Sequence, residues 1–214
     1  MIPTPDLSHL TSQDFDRIYE PAEDTFLLLD ALEEDEAWLQ AKKPRLCLEI
    51  GSGSGCVTTL LAKIVGQANA VFLTTDINEH ACGATRQTGL RNGVKTIESV
   101  RTSLVEGLLP RLHHAVDVLC FNPPYAVTPP EEVGSLGIEA AWAGGIDGRQ
   151  VIDAMLPFVT ELLSPSGVFY LLLINENRPA QVADIMRDQY SLQADIIMER
   201  RAGREKQYIL KIQR

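Results

Sequence analysis

Short apolar runs separated by helical stretches constrain this chain more tightly than any single motif. RLCLEI (45–50), AVFLTTD (70–76), a weaker run at 97–101, VDVLCFN (116–122) and VFYLLLI (168–174) read as strands. Helices are expected at about 55–65, 79–92, 147–163 and 178–189. Near-continuous apolar strands alternating with helices predict an α/β fold with a parallel sheet covered on both faces. ADIIMER (194–200) and QYILKI (207–212) close it as an antiparallel pair, which makes the sheet mixed. Upstream, YEPAEDTFLLLDAL (19–32) opens with Pro21 and acids suited to a helix N-terminus, then turns apolar. The 214 residues fit one domain.

Composition narrows the class of partner. Apolar residues make up 45% and charged residues 22%, as in ordinary globular proteins. No apolar run reaches the roughly 20 residues of a membrane span, and MIPTPDLSHL lacks a signal pattern, so no membrane partner is expected. Cys47, Cys56, Cys82 and Cys120 form no C-x-x-C pair, and three of them sit in apolar surroundings. A reducing intracellular compartment is the expectation. The adjacent His113 and His114 read as solvated loop residues, and no metal site is expected. The net charge is −10, with eight carboxylates and no Lys or Arg in residues 18–41, and six bases against Glu205 in residues 200–214. Such a balance disfavours stable nucleic-acid binding, which rests on bases neutralising phosphates. It suits a basic or neutral polypeptide; solvation of a helix face explains the acids equally well.

In CLEIGSGSGCVTTLLAKIV a strand ends at Glu49–Ile50, and glycines follow at 51, 53 and 55. A sharp turn there lets a ligand touch backbone that a Cβ would obstruct. Doubly wound sheets bind nucleotides at this first turn, although G-x-G-x-G departs from the dinucleotide spacing. Asp76 closes the second strand 25 residues after Gly51, where a carboxylate can accept both hydroxyls of a ribose. Glu49 behind the turn disfavours pyrophosphate and fits an amino group or a sulfonium. Acid, glycine turn and acid resemble the S-adenosylmethionine site of class I methyltransferases; a plain nucleotide turn with incidental acids is the competing reading.

CFNPPYAVTPP (120–130) runs from an apolar strand straight into Asn122, two prolines and a tyrosine. Prolines lack a donor and fix φ, so they hold the preceding residue in one extended pose. A strand-ending turn would explain this locally. Beside a methyl-donor site, Asn-Pro-Pro-Tyr resembles the motif of enzymes that methylate a planar nitrogen, an adenine amine or a glutamine amide. Such a nitrogen is a poor nucleophile, and the Asn122 side-chain oxygen with the Pro123 carbonyl can hold its N–H bonds. Pro124 stiffens the pose, and Tyr125 can lie on the substrate plane.

YEPAEDTFLLLDAL, LEIGSGSG, TTDIN, FNPPYAVTPPEEVG and IEAAWAGGIDGR together resemble the eukaryotic and archaeal glutamine N5-methyltransferases of the class I translation release factor. Animal members have also been called N6-adenine methyltransferase-like and act on a lysine of histone H4. The resemblance implies a seven-stranded mixed sheet in the order 3-2-1-4-5-7-6, with residues 1–40 as an extension covering the cofactor. It implies that Tyr19, Glu20, Pro21, Ala22, Glu23, Asp24 and Thr25 cover the methionine end of S-adenosylmethionine. Glu49, Gly51, Ser52 and Gly53 cradle it, Asp76 takes the ribose, Ile77 lies against the adenine, and Asn122 borders both ligands. Ser103 stands where the family usually has Asp, so the Leu104 backbone is a candidate replacement for the adenine contact.

The family further implies a heterodimer with a small zinc-binding activator of the Trm112 type. A third strand at the sheet edge offers a docking line, so residues 70–100 are the expected contact. Release factor is the implied substrate and histone H4 a second; adenine methylation in DNA or RNA would need a basic groove. Cytoplasmic residence follows, with a nuclear pool if a histone is methylated. Trp142 fits either a wall of the substrate cleft or a core anchor. Gly144, Gly145 and Gly148 shape the loop into the next helix, and Arg149 is expected to pair with an acid in that loop.

Overall fold

Every strand expected from the apolar runs is present in the computed structural model, which describes residues 2–135 and 137–214. Five parallel strands come first: β1 (Leu46–Ile50), β2 (Val71–Asp76), β3 (Ile97–Arg101), β4 (Val116–Phe121) and β5 (Leu163–Ile174). β7 (Glu205–Gln213) runs antiparallel to β5 and to β6 (Gln193–Ala202). The seven strands lie in the expected order β3-β2-β1-β4-β5-β7-β6.

The central strands are apolar on both sides because both faces are covered. Val118, Cys120, Val168, Tyr170 and Leu172 enter one core, and the alternate residues Leu119, Phe121, Phe169, Leu171 and Leu173 enter the other. The first core is closed by α2 (Glu23–Glu34), α3 (Glu36–Lys42) and α4 (Cys56–Val65). The second is closed by α7 (Gln150–Leu162) and α8 (Pro179–Asp188). Full burial of side chains of this size stabilises by roughly 1.5–3 kcal/mol each. α5 (Glu79–Arg91) flanks β2 and β3, starting at Asn78, whose side chain accepts the His80 N–H at 2.9 Å. α1 (Ser12–Phe15) and α6 (Leu109–Leu112) are single turns.

Two features differ from the expected boundaries. α2 begins at Glu23, two residues after Pro21, with Glu23 and Asp24 in its first turn where carboxylates oppose the helix dipole. β5 begins at Leu163 rather than 168, because Leu163 pairs with Val116 before the register jumps to Val118 against Val168. The intervening residues bulge, and Gly167 lies so close that a Cβ there would meet the Val116 carbonyl at 2.7 Å.

Two anchors fix α2 and α3 over the sheet. Asp30 pairs with Arg200 of β6 at 2.5 Å. Asp35 accepts from Tyr170 at 2.6 Å and from Lys211 at 2.5 Å, and the Lys211 ammonium lies 3.8 Å from the Trp38 ring centroid. The N-terminal segment is tied down along α2 and α5: Ile2 donates to Glu33 at 2.9 Å, Asp6 pairs with Arg91 at 2.9 Å, and Asn78 donates to the Arg17 carbonyl at 2.6 Å. The chain thus reaches Tyr19 at the carboxyl ends of β1 and β4, where the strand order reverses and a crevice opens.

Candidate active site

The crevice is a cleft of about 480 Å³. Glu49, Gly51, Ser52, Gly53, Asp76, Ile77, Ser103, Leu104, Asn122, Pro123, Pro124 and Tyr125 all line it, as do Tyr19, Asp24 and Thr25. Glu20, Pro21, Ala22 and Glu23 do not; Glu20, Ala22 and Glu23 point to solvent at the bend that leads into α2.

The turn after β1 carries Gly51, Gly53 and Gly55 at φ of 65°, 51° and 79°, a backbone other residues rarely adopt. Gly53 donates its N–H to Asp76 Oδ2 at 3.0 Å, and Asn78 donates to Asp76 Oδ1 at 2.9 Å. Each oxygen keeps a lone pair for a hydroxyl, which is the chemistry of a ribose diol. Burial raises the Asp76 pKa, while its backbone bonds pull the other way. Glu49 is 3% exposed and accepts both the N–H and the hydroxyl of Thr58 at the start of α4. Burial pushes its pKa up to about 8, against the lowering effect of Thr58. A carboxylate so poorly solvated gains from a cation beside it. This donor set fits S-adenosylmethionine: a cradle without Cβ atoms, a diol acceptor and a carboxylate waiting for positive charge. Ser103 and Leu104 follow β3 on the same wall, and Leu104 is held at φ 45°, in the left-handed region.

A second polar assembly faces this one. Tyr19, Asn122 and Tyr125 all donate to Asp24 Oδ2, at 2.9, 3.0 and 3.1 Å. The other oxygen, Oδ1, accepts the Thr25 N–H at 2.6 Å. Asp24 is 2% exposed, so these charge-assisted bonds fix the side chains firmly. Burial, followed by the charge of Asp24, raises both tyrosine pKa values and keeps the hydroxyls protonated as donors. With its amide N–H committed to Asp24, Asn122 presents Oδ1, which is buried and has no hydrogen-bond partner among the described residues. An orphaned buried acceptor costs about 1–3 kcal/mol, and at a cleft wall a ligand donor recovers it.

The loop carrying Trp142 closes the far side. Ala126 and Ala143 form a bridge, with Ala126 donating to the Trp142 carbonyl and Gly144 to the Ala126 carbonyl, both at 2.9 Å. Trp142 is 39% exposed and lines the cleft, so it is a wall rather than a core anchor. Arg149 pairs with Asp153 at 2.8 Å, an acid of α7 and not of the loop, because the helical turn places residue 153 above residue 149. Glu205, at the start of β7, also lines the cleft and had no sequence signal.

Comparison with known proteins agrees with this geometry. Residues 23–135 match the family described as Methyltransferase small domain. Methyltransferase HEMK2 of Homo sapiens is 51% identical over 208 residues, covering 97% of this chain and 95% of the relative. The eRF1 methyltransferase catalytic subunit mtq2 of Schizosaccharomyces pombe is 38% identical over 226 residues, covering 100% and 96%. Among solved structures, a chain of the E. cuniculi Mtq2–Trm112 complex, responsible for methylation of the eRF1 translation termination factor, matches with a TM-score of 0.68. That match has 29% identity and covers 92% of this chain and 98% of the other.

Proposed function

This chain belongs to the S-adenosylmethionine-dependent methyltransferase family that contains HEMK2 and Mtq2, and we propose that it N5-methylates the glutamine of a Gly-Gly-Gln tip in the class I release factor. The observation that carries this reading is Asn122 Oδ1, a buried acceptor of a cleft-lining residue that has no partner among the described residues while its amide nitrogen is locked by Asp24. When bound, S-adenosylmethionine supplies a methyl on a sulfonium, already activated for transfer. Gly51, Gly53, Asp76, Glu49 and Ile77 would hold it. The work left to the protein is orientation. A primary amide offers two N–H donors in one plane; Asn122 Oδ1 takes one, and the Pro123 carbonyl, restrained to an extended pose by the following Pro124, takes the other. Two such bonds fix the nitrogen's direction and raise its electron density. Tyr19 and Tyr125, fastened to Asp24, wall the amide without needing to move a proton. A neutral amide needs no base before it attacks, and its nitrogen releases one N–H proton to water once it carries the methyl; a lysine ammonium must lose a proton first.

The partner reading follows the same line. Beside edge strand β3, Val71 at the start of β2 (52% exposed) and Leu90 of α5 (59% exposed) are uncovered, which favours an activator of the Trm112 type at residues 70–100. Cytoplasmic residence with the translation machinery completes the proposal. Labelled-methyl transfer to release factor, histone H4 and an adenine oligonucleotide, run side by side with the coexpressed partner, tests it. Label on the release-factor glutamine is expected; label on the oligonucleotide or histone alone would overturn it.

A further inference from the structure

We infer that Asn177, a residue outside the cleft, is the positioning residue that sets the height of the Asn122–Tyr125 segment over the site. It follows β5 in INEN (174–177), at the same sheet end as Asn122 after β4, and is fully buried. Its Oδ1 accepts the Ile174 N–H at 2.8 Å, which fixes it to the sheet. Its Nδ2, with two N–H bonds, donates to the carbonyls of Tyr125 at 2.9 Å and Asp147 at 3.0 Å, one of the two shared with the Gly148 carbonyl at 3.3 Å. One amide therefore joins the strand end, the Asn-Pro-Pro-Tyr segment and the Gly-Gly-Ile-Asp-Gly loop. The fit is close on every side. A Cβ on Gly148 would meet the Tyr125 carbonyl at 1.8 Å and Asn177 Nδ2 at 2.5 Å, and one on Gly144 would meet the Pro124 carbonyl at 2.6 Å. Arg149, 8% exposed, braces the clamp from behind by donating to the Asn177 carbonyl at 3.1 Å.

The chemistry specifies asparagine. Three converging carbonyls need N–H donors, so an aspartate of equal shape would set a carboxylate against them. Glutamine is one methylene too long for a site this tight. Asn177 is not among the residues lining the cleft, so it acts only through the backbone it holds.

This inference rests on the reading that Asn122 aims the substrate amide. The test uses the full chain coexpressed with the activator, comparing wild type with Asn177→Asp and Asn177→Ala. The readouts are kcat and KM on release factor, cofactor affinity by calorimetry, and amide hydrogen exchange. Expected are a kcat lower by about 10–100-fold, the loss a displacement near 1 Å produces, with cofactor affinity and KM within about threefold of wild type on the same scale. Exchange should rise in 122–128 and 143–149 and stay unchanged in β1 and β4. Unchanged kcat in a folded variant, or exchange rising evenly across the sheet, would overturn it. If one variant does not fold the other decides, and Asn177→Ser, small and uncharged, decides by the same readouts if neither folds. A wild-type chain that leaves release factor unmethylated while its variants show the localised exchange would sink the substrate reading and keep the clamp.

Discussion

Glu49 and Asp76 reach the cleft from the ends of adjacent strands and meet around one glycine turn, whereas Asp24, Asn122, Tyr125 and Asn177 converge from segments spread between residues 24 and 177. The first group binds through backbone shape and strand-end carboxylates, which neighbouring residues define. The second works through side chains that hold one another, with a carboxylate hub at Asp24 and an amide clamp at Asn177. Damage to the two ends should therefore separate: affinity for the cofactor falls at one, turnover at the other.

Asn122→Ala is the sharpest test, removing the free acceptor; kcat should fall by roughly 10²–10³, the usual cost of losing a preorganised polar group. Calorimetry should still find cofactor affinity within about threefold, since the turn and Asp76 are untouched. Retained turnover would mean that another group orients the nitrogen. Asp24→Asn keeps the shape but takes away the charge that three donors share, and a loss of about 10–100-fold in kcat is expected. A matching loss of cofactor affinity would show instead that Asp24 belongs to the donor end.

At that end, Asp76→Ala should weaken cofactor binding by about 1–3 kcal/mol with kcat at saturation nearly kept. An unchanged affinity would mean the ribose lies elsewhere. Glu49 makes a pH prediction. Its folded pKa, about 8, lies above the ordinary 4.5, so between those values the folded chain binds more protons than the unfolded one. Its contribution to stability is fully present below the unfolded value and is lost as pH rises through the folded one. Cofactor affinity should run the other way, increasing towards pH 8 as the carboxylate ionises beside a sulfonium. Glu49→Gln should flatten both curves in thermal melts and calorimetry; unaltered curves would exclude Glu49 as the titrating group.

The smallest effect on chemistry is expected far from either end. Lys211→Met breaks the pair with Asp35, whose side chains are 11% and 23% exposed, and should cost about 1–3 kcal/mol of stability in denaturant unfolding. Turnover per folded molecule should hold. A large kcat loss would show that the seat of α2 on β7 also sets the position of Asp24.

Much of this was legible in the order of residues, and the reason is locality. Strand periodicity, the glycine turn and carboxylates at strand ends are set within a few neighbours, so the strands and the donor end could be read without coordinates, while the sheet order came only with the family resemblance. Asn122 was equally legible because two prolines mark it. Asn177 carried the same kind of mark, a polar residue directly after a buried strand, but INEN lacks the prolines that made NPPY conspicuous. Glu205 had none, since a hairpin alone delivers it to the cleft. That Asp24, expected as cofactor cover, is also the hub of the Asn122 network needed three dimensions: its partners lie 5, 98 and 101 residues away. Local sequence encodes backbone geometry, because φ, ψ and burial period act over a few residues. Which hydrogen-bond donors share one buried carboxylate is decided only when the layers close and water leaves.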